Sequence, residues 1–173
     1  MHGHLVQSLT ELGIEIFASD AQSIPDIYTE ILQVGVITGK EKNAEKLVES
    51  MKKRIDKPSP ANIISVYWEV WNAPYMSIGN TSFINEIIQA SGAQNIFNDL
   101  SASYPVVSEE SIIARNPSVI LLPSDSPETL DTIKNRSGWD SIDAVNNNRV
   151  YKIDGDIISR PGPRLAEAIE AIR

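Results

Sequence analysis

Apolar side chains recur at two different periods along the chain, and the switches between them outline an α/β fold. Leu5, Val6, Leu9 and Leu12 repeat at helical spacing, Gly13 sits where a C-cap glycine belongs, and residues 14–17 follow as a short predicted strand. Ser23, Pro25 and Asp26 form a helix start, with Ile27, Ile31 and Val34 on one face before Gly35. After Gly39 a second helix is predicted to about Lys57, its buried stripe formed by Ala44, Leu47, Val48, Met51 and Ile55. Pro58 and Pro60 end that helix, so residues 58–61 are expected to be a hinge.

Beyond Asn62 strand-like and helical stretches alternate. Residues 63–71 are rich in β-branched and aromatic types, residues 83–90 are helical and close at Gly92, and a short apolar turn follows at Ile96 and Phe97. Ser108 caps a helix that Asn116 and Pro117 terminate, and residues 119–122 form a continuous apolar run suited to a strand covered on both faces. A helix near residues 128–135, an irregular stretch over 139–147, a strand at Val150, Tyr151 and Ile153, and a helix from Pro163 complete the pattern. Regular alternation of this kind predicts a mostly parallel sheet with helices on both faces, a three-layer α/β lobe. The predicted strand at 14–17 has no obvious partner. The favoured expectation is that the chain is a fragment whose earlier strands supply the partner; joining the downstream sheet is the alternative, and pairing with a second copy is a further route.

Composition narrows the function more than the fold. The 173 residues include 15 basic and 23 acidic side chains, a net charge of −8, which argues against a nucleic-acid partner. Zero cysteine removes disulfide frameworks, thiol catalysis and cysteine zinc sites. No signal peptide is expected at Met1, and no apolar run approaches the ~18–20 residues that span a bilayer. His2 and His4 are the only histidines, and they fit a frayed terminus better than a metal pair. Gly39-Lys40 fails as a phosphate loop, since Val34 stands where the first glycine belongs and Glu41 where the hydroxyl belongs.

The informative residues cluster at predicted strand ends, where open α/β sheets collect ligands. One cluster holds Tyr67, Trp68, Glu69, Trp71 and Tyr75; flat rings suit the walls of a flat ligand, although each could equally be core packing. A second is the 101–108 loop, which places Tyr104 ahead of a capped helix. The third is the turn over 154–164, with Asp154, Asp156, Arg160 and Arg164 stiffened by two prolines and two glycines. Arg164 near a helix start is unfavourable with the helix dipole, so a partner is expected to reward it.

In this order, YWEVWNAPYMSIGNTSFINEIIQASGAQNIF, SYPVVSEESIIARNPSVILL and GWDSIDAVNNNRVYKIDGDIISRPGPRL resemble the ABC-importer substrate-binding proteins for cobalamin and ferric siderophores. The resemblance covers nearly the whole chain. It implies residues 1–22 as a remnant of an N-terminal lobe, 23–60 as a long inter-lobe helical segment, and 61–173 as the C-terminal lobe. It also implies an extracytoplasmic protein, a membrane-anchored lipoprotein being one form, whose signal segment lies outside these residues. Such a protein has no chemistry or cofactor of its own; it carries cobalamin or an iron chelate to a membrane permease. Trp68, Glu69, Trp71, Tyr75, Tyr104, Arg160 and Arg164 are the ligand-binding positions so implied. Asp154 and Asp156 stand in for the glutamate with which this lobe docks on the permease, because Ser159 occupies the place expected for it. Haem or a bare transition metal are alternative ligands, and a small enzyme using Glu69 and the two aspartates is the alternative of another class.

Overall fold

The computed structural model describes residues 3–57 and 62–173. Its centre is a four-stranded sheet of β1 (Ile64–Trp68), β4 (Ala93–Asn95), β5 (Val119–Pro123) and β6 (Val150–Ile153), in the order β4-β1-β5-β6 and parallel throughout. The expected mostly parallel sheet is therefore present. Side-chain alternation along β1 decides which residue meets which layer. Val66 and Trp68 face one core with α4 (Phe83–Ala90), α8 (Gly155–Ile158) and α9 (Leu165–Ile172). Tyr67 faces the other, with α5 (Glu109–Arg115), α6 (Leu130–Lys134), a 3-10 turn at Trp139–Ser141 and α7 (Asp143–Asn146). Helices thus cover both faces, and the three layers follow.

Ahead of the sheet come α1 (Gly3–Glu11), α2 (Ile24–Ile37) and α3 (Glu41–Ile55). Ser23 caps α2 by accepting from the Asp26 N–H at 3.2 Å, as expected. The helix does not end at Gly35 but runs to Ile37 and turns at Gly39, whose φ of +63° a residue with a side chain rarely adopts. Gly35 has another role: a Cβ there would lie 2.5 Å from the Cβ of Ala44, so the missing side chain lets α3 fold back closely on α2. Residues 24–55 are thus two packed helices, as their pattern predicted. Leu47, expected in the buried stripe of α3, is exposed.

Two contacts fasten this helical hairpin to the lobe. The Glu86 carboxylate of α4 accepts the Ile24 N–H at 3.1 Å through either oxygen, and Glu170 of α9 pairs with Arg54 at 2.6 Å and Lys57 at 3.2 Å. The Arg173 guanidinium also donates to the Arg54, Ile55 and Ala90 carbonyls, closing the ends of α3 and α4.

Three expectations are corrected. Residues 14–17 form no strand, pair with no strand of the sheet and leave Ile14, Ile16 and Phe17 exposed; nothing supports pairing with a second copy. The predicted strand over 63–71 breaks after Trp68, and a hairpin of β2 (Trp71–Asn72) and β3 (Tyr75–Met76) follows it. Residues 93–95, assigned to no strand by the pattern, form an edge strand. The hinge expected at 58–61 lies outside the described residues, as do His2 and the His4 side chain.

Candidate functional site

The chain leaves β1 for β4 on one side of the sheet and then crosses to β5 on the other, so the strand order reverses between β1 and β5. A crevice opens beyond the carboxyl ends of two strands at such a point. A shallow pocket of about 220 Å³ lies there, lined by Glu69, Trp71, Asn72, Asp125 and Glu128 among others. A second, of about 450 Å³, continues along the same edge past β6, lined by Ser124, Asp125, Asp154, Asp156, Ser159 and Arg160. Two other hollows are apolar. One of about 600 Å³ lies over the sheet face at Ile64, Val66 and Leu121, and one of about 420 Å³ lies between the helical hairpin and the 161–163 turn.

Trp71 is 56% exposed on the β2–β3 hairpin, its indole N–H donating to the Ala73 carbonyl at 2.9 Å. That hairpin contains the cis Ala73–Pro74 peptide bond. Tyr104 is 52% exposed on a loop running beside the hairpin: Met76 bridges Val106, the Ser77 N–H donates to the Pro105 carbonyl at 3.0 Å, and the Val107 N–H donates to the Tyr75 carbonyl at 2.9 Å. The same backbone pairing that sets the loop therefore puts both rings on adjoining segments. Gly79 is required for it, because a Cβ there would stand 2.0 Å from the Ala102 carbonyl oxygen.

Arg160 and Arg164 are exposed on the third segment. Arg160 pairs with Asp156 at 3.0 Å, and Asp154 caps α8 by accepting the Asp156 N–H at 2.9 Å. The partner expected for Arg164 is not found among the described side chains.

Two of the expected ligand positions sit elsewhere, and a third lines the pocket but is already engaged. Trp68, 2% exposed, points into the core with Ile84 and Leu121, because alternation turns it away from the face that carries Tyr67. Tyr75 is half-buried, its hydroxyl donating to Glu109 at 3.2 Å and its ring 5.7 Å from that of Trp139. Glu69 lines the pocket but is 3% exposed and engaged: Arg136 donates to its two oxygens at 2.6 and 2.9 Å.

Arg136, which no sequence pattern singled out, is the hub of this edge. Its guanidinium also meets Glu128 at 2.9 Å and lies 4.5 Å from the Trp139 ring and 5.3 Å from the Tyr75 ring. Burial alone would raise the Glu128 carboxyl, but hydrogen bonds from Thr132 and Arg136 and the Arg136 charge hold it below the ordinary range. Burial pushes the Tyr67 hydroxyl far up, with the nearby Glu69 charge adding to it. With Glu69 neutralised by Arg136, Asp154 used as a cap and Asp156 paired, none of the three carboxylates named for acid–base work is a free group facing an aromatic pocket. Among the described residues no group of three or more His, Cys, Asp or Glu side chains is placed to hold a metal ion, and no helix is long and apolar enough to cross a membrane.

Comparison with known proteins identifies the family and the fold. The profile of a family described as periplasmic binding protein matches residues 8–157. The chain is 33% identical over 176 residues to a Bacillus subtilis (strain 168) protein named uncharacterized ABC transporter substrate-binding lipoprotein YvrC, covering 96% of this chain and 55% of that one. It is 25% identical over 175 residues to the vitamin B12-binding protein of Vibrio campbellii, covering 96% and 62%. A possible iron-binding (periplasmic solute-binding) protein from Staphylococcus epidermidis superposes with a TM-score of 0.86 at 34% identity, over 99% of this chain and 69% of that one. The periplasmic heme-binding protein HutB of Vibrio cholerae shares the fold with a TM-score of 0.86 at 24% identity, over 99% and 71%. The chain spans 55% to 62% of the length of these two curated relatives.

Proposed function

The chain belongs to the periplasmic binding protein family, and from that premise we propose that it supplies one wall of the ligand cleft in the substrate-binding protein of an ABC importer. Residues 61–173 are in this reading the C-terminal lobe, 23–60 the inter-lobe segment and 1–22 the end of the other lobe. The ligand is a metal chelate, cobalamin or a ferric siderophore. The observation that carries the proposal is the pair of exposed rings, Trp71 in the pocket at the reversal point of the sheet and Tyr104 on the segment that adjoins its hairpin. Large flat side chains with few rotatable bonds bind a flat ligand with little entropy to lose. Arg160 and Arg164 add positive charge on the next segment, and Asp154 and Asp156 offer an acidic contact to a permease outside the membrane. The names of the relatives are those of binding proteins, which supports capture and delivery over catalysis.

Calorimetric titration of the chain with cyanocobalamin, ferrichrome and haemin tests the reading. We expect one of the first two to bind, more weakly than ~1 μM because a single wall buries less of it, and Trp71→Ala with Tyr104→Ala to weaken binding at least tenfold, about 1.4 kcal/mol. Binding of haemin alone would move the ligand class to haem. Binding indifferent to both substitutions would remove the site.

A further inference from the structure

We propose that Arg136 is the positioning residue of this ligand wall: it locks the hairpin over 70–76 to the 123–128 loop, so that Trp71 stands in place before a ligand arrives. The inference rests on reading the carboxyl edge as the ligand site. Three of the four contacts of Arg136 end on segments that form that edge. Glu69, held by two bonds of 2.6 and 2.9 Å, is the last residue before the hairpin. The Tyr75 ring, 5.3 Å from the guanidinium, belongs to the hairpin's second strand. Glu128, 2.9 Å from Arg136, reaches back with its other oxygen to accept the Asn72 amide at 2.7 Å, and Asn72 is the residue after Trp71. Trp139 closes the stack from behind at 4.5 Å, itself fixed by donating to Glu109 at 2.8 Å.

Stability alone does not account for this arrangement. Burying a charged triad costs desolvation that apolar residues of equal volume would avoid, and a buried ion pair is weak evidence of a stabilising role. Its place matters more: Glu69, Asn72 and Glu128 are themselves lining residues of the pocket at the reversal point. A planar fork that bonds two carboxylates while stacking on two rings is a task for arginine, which a lysine ammonium cannot reproduce. Holding a loop in its bound shape removes an ordering cost from binding.

Hydrogen–deuterium exchange and probe binding, measured on Arg136→Lys and on the milder Asn72→Ala, test the lock. Amides over 70–76 should exchange at least tenfold faster in both variants, while those of β1 and β5 stay within about twofold of the parent. Affinity for whichever of cyanocobalamin, ferrichrome or haemin the parent binds should fall at least tenfold in Arg136→Lys. Unchanged exchange over 70–76, an equal rise in every segment, or a loosened hairpin with unchanged affinity would each overturn the inference. If the parent binds none of the three probes, the ligand reading fails, and the exchange result still decides whether Arg136 locks the hairpin.

Discussion

Glu69 shows how far a side chain's chemistry can be read without its partner. Its position at a strand end was legible, but its engagement was not, because Arg136 lies 67 residues away and the two meet only through the fold. Replacing Glu69 by Leu leaves a buried guanidinium with Glu128 as its remaining carboxylate. We expect a loss of about 3 kcal/mol, near the low end for breaking a buried pair. Adding Arg136→Met should return part of that loss, since the buried guanidinium is then gone while Glu128, left without its cation, keeps the hydrogen bonds from Asn72 and Thr132. Urea denaturation of the two variants checks both values, and an unaltered double variant relative to the single one would contradict the account. Trp71 and Tyr104, named from their type and place alone, are exposed. Trp68 and Tyr75 were not separable from them, because an aromatic ring suits core and cleft alike.

Elements with strong periodicity came through with boundaries within one residue: α4 and β5 needed only capping rules and an apolar run. The edge strand β4 was hidden because Ala-Gln-Asn has little strand preference and is extended only by pairing with β1. Residues 14–17 had the preference without a partner, and no strand formed. How elements are fastened was equally hidden, as the α3–α9 link through Glu170 shows. Hydrogen bonds from Arg54 and then Lys57 hold that carboxyl at about 2, below its ordinary 4.5. A depressed folded value means that the stabilisation is complete above the unfolded value and is lost as pH falls through the folded one. The stability difference between the parent and Glu170→Gln should therefore be full at pH ~5 and shrink towards pH ~2, read from urea midpoints. A difference that stays constant over that window would show that the pairing carries no weight.

For the whole molecule, the parallel sheet and the helices on both faces followed from alternation of strand and helix. The reversal of strand order between β1 and β5 did not, since it depends on which side of β1 each crossover returns. That reversal is what turns two exposed rings into a candidate site. The central claim is that a metal chelate is received at this edge, and amide chemical-shift mapping of the isotopically labelled chain during titration with cyanocobalamin, and separately with ferrichrome, tests it most directly. Shifts concentrated in 69–76, 101–108 and 123–128 are the expected result. Shifts confined to the opposite edge of the sheet or to the helical hairpin, or no shifts with either probe at millimolar concentration, would contradict it.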